Sequence, residues 1–155
     1  MKVLVLNGAN LNLVGIKDPG HYGSESMEQI EQNLCRLGEE LGCKVEFFGT
    51  NYEGELIDKI QEAYLSRLRD DIETVDAILI NAATWAHYSR VIYESLRPYA
   101  EEGGLVYELV MSNVYQRDEW RHHSVISPLA SGILMGMGPD VYYLGLRAAV
   151  SKLSK

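Results

Sequence analysis

Five short runs, at residues 3–6, 45–48, 77–80, 105–110 and roughly 130–136, are apolar on successive residues rather than on alternate ones. Strands buried on both faces have this pattern, as in a parallel sheet covered by helices, and no other feature of the chain limits its fold as much. Helical signals lie between the runs. Met27, Ile30, Leu34, Leu37 and Leu41 fall at helical spacing, Ser26 with Gln29 forms a capping box, and Gly42 supplies a stop. A second helix is predicted from about Glu53 or Glu55 to Arg69. A third starts near Ser89 and is ended by Pro98 and the Gly103-Gly104 pair, and a last one begins around Pro139-Asp140. Five strands alternating with four main helices predict an α/β fold: a doubly wound, five-stranded parallel sheet in a three-layer sandwich with right-handed crossovers. No repeat, low-complexity tract or linker interrupts it, so residues 1–155 read as a single domain.

Composition narrows the partners. The 14 Lys and Arg are set against 22 Asp and Glu, a net charge of −8. Nucleic acid and anionic membrane surfaces need clustered cations and are not expected as partners. A small anionic substrate remains compatible, because a pocket can be locally basic on an acidic protein. Cys35 and Cys43 form neither a CxxC nor a zinc-ligand spacing, and the opening apolar run is too short for a signal-peptide core. No run approaches the roughly 18 apolar residues of a membrane span, so a reducing cytoplasm is the expected setting.

Ligands of doubly wound sheets sit beyond the carboxyl ends of the strands, which directs attention to segments 7–23, 49–54, 81–89 and 111–124. The first contains neither a dinucleotide fingerprint nor a P-loop, so nucleotide phosphates are not expected there. Its length and glycine content suit a functional flap, with Lys17 and Tyr22 its notable side chains. A phenol, with an ordinary pKa of about 10, acts as a base near neutrality only if a cation stabilises the phenolate. One cation at about 4 Å is worth up to roughly 4 kcal/mol at an effective dielectric of about 20, or on the order of three pKa units. Arg117 and Arg121 have helical i, i+4 spacing and are predicted to face a pocket together. The adjacent His122-His123 lacks a metal-site spacing and a carboxylate partner, so no metal is predicted. An arginine-rich rim with asparagines and serine after apolar strands suits a small polyhydroxylated carboxylate, with no cofactor implied.

Taken together the loops resemble type II dehydroquinase, also called type II 3-dehydroquinate dehydratase. The resemblance is carried in order by Leu6-Asn7-Gly8-Ala9-Asn10-Leu11-Asn12-Leu13, Tyr22-Gly23, Asn51-Tyr52-Glu53-Gly54-Glu55-Leu56-Ile57-Asp58, Asn81 with His87 and Ser89, Ser112-Asn113, and Arg117 through Pro128. It implies a flavodoxin-like fold and an anti elimination of water from a cyclic β-hydroxyketone through an enolate. By the same resemblance Tyr22, on a mobile lid, is the base that removes the proton α to the ketone, and Asn10 holds the water that stabilises the enolate. Asn81, His87 and Arg121 hold ring hydroxyls, while Ser112, with Met111 and the backbone amide beside it, takes the carboxylate. Glu94 reaches a neighbouring subunit, and the usual assembly is a trimer-based dodecamer.

The resemblance breaks at several positions. Lys17 matches the family's tyrosine-activating arginine, keeping the charge without the bidentate fork. Ala9 stands where proline is usual. Val110 stands where the family has a histidine, thought to donate the proton to the departing hydroxyl, and valine has none to donate. Trp85 and Tyr88 replace less bulky residues and are expected to reshape the pocket wall. Three readings result: a dehydratase of 3-dehydroquinate or a close relative, an enzyme that applies the enolising half-reaction to another cyclic ketone or hydroxy acid, and a non-catalytic metabolite-binding protein.

Overall fold

The computed structural model describes every residue from Met1 to Lys155. Lys2–Asn7 (β1), Lys44–Gly49 (β2), Ala77–Asn81 (β3), Leu105–Val110 (β4) and Gly132–Met135 (β5) form one parallel sheet in the order β2-β1-β3-β4-β5. That is the flavodoxin-like order, with its switch point between β1 and β3. Five α-helices accompany it: the four-residue Pro19–Tyr22 (α1), then Met27–Glu40 (α2), Glu53–Leu68 (α3), Arg90–Glu101 (α4) and Asp140–Leu153 (α5).

Side chains alternate across the sheet, and each face has its own core. Val3, Val5, Leu79 and Leu109 pack with Ile30 and Leu34 of α2 and Val141 and Leu146 of α5. Leu4, Leu6, Ile78 and Ile80 pack with Leu56 and Ile60 of α3 and Ile92 and Leu96 of α4. Burial on both faces is the physical reason the central runs are apolar on successive residues, with Glu108 in β4 the exception. The edge strands β2 and β5 depart from that expectation: most of their residues are only partly buried, because an edge strand has a helix over part of its width and no neighbour on one side.

Local signals set the helix ends. Ser26 Oγ accepts from Gln29 N at 3.2 Å and Gln29 Oε1 accepts from Ser26 N at 2.8 Å, which closes the capping box of α2. Ser89 Oγ accepts from Ile92 N at the start of α4. Pro98 does not end that helix, contrary to the sequence expectation. It lies inside α4 and forfeits only the bond its own N–H would have made, while buried Leu96 and Tyr99 anchor the last turns until the Gly103-Gly104 pair. Both cysteines are free thiols, and no helix is long and apolar enough to cross a membrane.

Candidate active site

The carboxyl ends of β1, β3 and β4 open into one cavity of about 240 Å³, walled by the segments that come after those strands. The three non-glycine residues with left-handed backbone, Asn10, Asp18 and Ala83, all border it. Such conformations cost about 1 kcal/mol or more each and concentrate where a site needs an unusual backbone course. Among the charged side chains lining the cavity, Lys17, Arg117 and Arg121 outnumber Asp18 and Glu108, so a chain of net charge −8 has a cationic pocket.

Tyr22 ends α1, in a segment bounded by Gly15 and Gly23, both at positive φ. A chain of polar contacts fixes the base of that segment to the body: Tyr143 Oη and Asn33 Nδ2 each donate to Glu25 Oε1 at 2.6 Å. Burial, reinforced by the carboxylate it faces, pushes the Tyr143 phenol up to about 12. The cation at Tyr22 is not the one the sequence suggested. Arg117 Nη1 donates to Tyr22 Oη at 2.8 Å and reaches Ser112 Oγ at 3.3 Å, with its guanidinium carbon 5.6 Å from the phenol ring centroid. Lys17 also lines the cavity, but its side chain is exposed and contacts neither the phenol nor any carboxylate.

Arg117 is extended between two short 3₁₀ turns, Val114–Gln116 and Glu119–His122, so its proximity to Arg121 does not come from a common helix as the spacing had implied. Arg121 stacks on Trp120 at 4.1 Å and reaches Asp118 only at 3.5 Å, its Nε otherwise unpartnered. The N–H groups of Ser112 and Asn113 make no hydrogen bond within the chain, and Ser112 lines the cavity with its hydroxyl 3.3 Å from Arg117 Nη1. His87 Nδ1 lies 2.8 Å from the His123 carbonyl, which can only accept. That bond makes Nδ1 the donor and leaves Nε2 turned away from the His123 carbonyl. Asn10 donates its backbone N–H to Asn51 Oδ1 at 2.8 Å and sits at the cavity edge.

Glu108 was missed by sequence reasoning. It is buried in the cavity wall, and Ser124 Oγ at 2.5 Å and Ser127 Oγ both donate to its carboxylate. A lone acid inside the apolar run of β4 was the signal that could have found it.

The family model described as Dehydroquinase class II matches residues 1–150. The chain belongs to the type II dehydroquinase family. The 3-dehydroquinate dehydratase of Leptothrix cholodnii is 44% identical over 151 residues, covering 97% of this chain and 95% of the relative. That of Pelobacter propionicus is 44% identical over 153 residues, 99% of this chain and 96% of the relative. The crystal structure of type II dehydroquinase from Butyrivibrio crossotus superposes with a TM-score of 0.85 at 35% identity, covering 96% of this chain and 97% of that one.

Seen as a type II dehydroquinase, the molecule places some expected site residues in the pocket and others elsewhere. Asn10, Lys17, Tyr22, Asn81, His87, Val110, Met111, Ser112, Arg117 and Arg121 all line the cavity. Trp85 does not reshape the wall: it is buried in the core beneath α3 and α4, against Gly8, where an added Cβ would meet its ring at 3.0 Å. In the 3₁₀ turn Ala83–His87, residues three apart share a face, which brings Thr84 and His87 to the cavity and turns Trp85 inward. Tyr88 is largely exposed outside the cavity. Glu94 lies on the outer face of α4, paired with Arg97 at 3.1 Å, and so contributes nothing to its own chain's pocket.

Proposed function

We propose that this chain removes water from 3-dehydroquinate or a close relative, a cyclic β-hydroxyketone carboxylate, through an enolate formed by Tyr22. The observation that carries the reading is the 2.8 Å bond from Arg117 to the Tyr22 hydroxyl inside a cationic pocket. The guanidinium donates to the oxygen on which charge appears when the phenol loses its proton, so the phenolate is stabilised where a base is needed. It takes the proton α to the ketone, the C–H electrons move onto the carbonyl oxygen, and a water held by Asn10 donates to that enolate. Re-forming the carbonyl expels the β-hydroxyl, which leaves as water by taking a proton from solvent in the cavity, while the proton on Tyr22 is returned to solvent to regenerate the base. The free N–H groups at Ser112 and Asn113 and the Ser112 hydroxyl hold the carboxylate, and Asn81, Arg121 and His87 Nε2 hold ring hydroxyls.

The protonation of the leaving group is the weak step. Val110 offers no proton, its sheet neighbour is Met135, and His87 donates through Nε2 only as the imidazolium. Positioned acid catalysis typically contributes about 10² to 10⁴ in rate, so dehydration is slow relative to enolisation. The apolar Val110–Met135 wall also supports a second reading, in which Tyr22 enolises a different cyclic ketone whose fate is isomerisation, C–C cleavage or cyclisation. The reading extends to a cytoplasmic, trimer-based dodecamer, in which Glu94, exposed on α4, reaches a neighbouring subunit; sedimentation showing a monomer would remove the assembly.

The direct test is conversion of 3-dehydroquinate to its conjugated enone, monitored by ultraviolet absorbance. Slow turnover by the wild type and none by Tyr22→Phe supports the dehydratase. Turnover that survives in Tyr22→Phe refutes Tyr22 as the base.

A further inference from the structure

Behind Asn81 runs a buried hydrogen-bond chain that takes no part in the proposed chemistry. Tyr142, in the first turn of α5, is fully buried. Its hydroxyl accepts from Asn81 Nδ2 at 3.0 Å and donates to Asn7 Oδ1 at 2.5 Å. Asn7 and Asn81 are register partners at the carboxyl ends of β1 and β3, on either side of the switch point. One backbone group dictates every direction in the chain. The Ala83 N–H donates to Asn81 Oδ1 at 3.3 Å, so the Asn81 NH₂ must turn to Tyr142. The hydroxyl, already accepting, then has its single hydrogen for Asn7 Oδ1. Asn7 Nδ2 is buried without a partner, and the chain ends there.

We propose that Tyr142 is a positioning residue for substrate binding: its hydroxyl locks the Asn81 carboxamide so that the amide's second N–H and free carbonyl lone pair are presented to a ring hydroxyl in the cavity. The proposal rests on the reading of Asn81 as a substrate contact and adds to it the residue that sets its orientation. Without the hydroxyl, Asn81 keeps only the 3.3 Å bond from Ala83, and its NH₂ is free to swing away. Burial holds the Tyr142 phenol up from its ordinary value, so it remains the donor to Asn7 throughout the working pH range.

A residue that merely filled the core would act on stability and leave substrate affinity alone. The test is therefore a double-mutant cycle of Tyr142→Phe and Asn81→Ala, read as KM, kcat and calorimetric affinity for 3-dehydroquinate. Tyr142→Phe is expected to raise KM about tenfold with kcat changed by less than about threefold, and to change KM no further in the Asn81→Ala background. An unmoved KM, or the same factor in both backgrounds, overturns the proposal while the dehydratase reading stands. Should Tyr142→Phe not fold, solvent exchange of the side-chain NH₂ protons in the wild type decides. Protection of Asn81 relative to exposed Asn12 supports the lock, and equal exchange of the two refutes it. A wild type that protects Asn81 yet neither binds nor converts 3-dehydroquinate refutes the functional reading and, with it, the substrate end of this one.

Discussion

The pair that matters most at the scale of single residues is Arg117 and Tyr22, 95 positions apart in the chain and 2.8 Å apart in space. Lys17, five residues before Tyr22, was the nearer candidate, and the sequence offered no means of ranking the two cations, because the ranking depends on how two loops fold toward each other. Arg117→Ala is expected to reduce kcat by at least about 100-fold and Lys17→Ala by much less, a difference that steady-state kinetics on the two variants resolves. Both bonds come from Nη1, so Arg117→Lys keeps the charge but trades the planar guanidinium for a compact ammonium on a different stem, and should recover only part of the loss. Val110→His restores a donor to the wall and is expected to raise dehydration by between about 10- and 10⁴-fold. No gain would locate the obstacle in the residues against it, Met135 foremost, since Trp85 lies in the core.

At the scale of elements, most of what the sequence announced is local chemistry. The capping box at Ser26 and Gln29 and the helical spacing of Ile30, Leu34 and Leu37 prescribe α2, and the structure builds it as written. The central strands were legible for the same reason: burial on both faces leaves them almost wholly apolar, with Glu108 the exception within β4. The site loops were not, because their 3₁₀ turns are too short to carry a period and their side chains find partners across the sheet. A close helix–strand approach gives a test at this level. In an open helix Gly→Ala stabilises by up to about 1 kcal/mol. At Gly38 in α2 the added Cβ would lie 2.6 Å from Val45 Cγ2 and 2.9 Å from the Cys43 carbonyl, so the sign reverses. Gly38→Ala should lower stability by about 1 to 3 kcal/mol in denaturant titration, the range of an overpacked core. Gly42→Ala, at positive φ but with open space around it, should lose only the smaller cost of left-handed backbone.

For the molecule as a whole, the two apolar layers and the buried tyrosines set the response to alkali. Burial raises the phenols of Tyr99 and Tyr142 above their ordinary values, so both remain protonated in the folded chain where the unfolded chain has begun to ionise. The contribution is fully present below about pH 10 and is lost as pH rises toward the folded values, at roughly 1.4 kcal/mol per pH unit for each tyrosine. Denaturant midpoints should therefore hold steady from neutrality to about pH 10 and fall beyond it, and Tyr99→Phe should flatten that fall. Charge is also segregated in the fold: most acidic side chains lie away from the cavity, whereas Lys17, Arg117 and Arg121 line it beside only Asp18 and Glu108.

The central claim is that Tyr22, held against Arg117, abstracts the proton α to a cyclic ketone, and that Val110 slows the later loss of the β-hydroxyl. Incorporation of solvent deuterium into 3-dehydroquinate, measured by NMR alongside product formation, tests both parts at once. The account predicts exchange faster than dehydration in the wild type and none in Tyr22→Phe. Substrate that binds without exchanging, or exchange that survives in Tyr22→Phe, would contradict it.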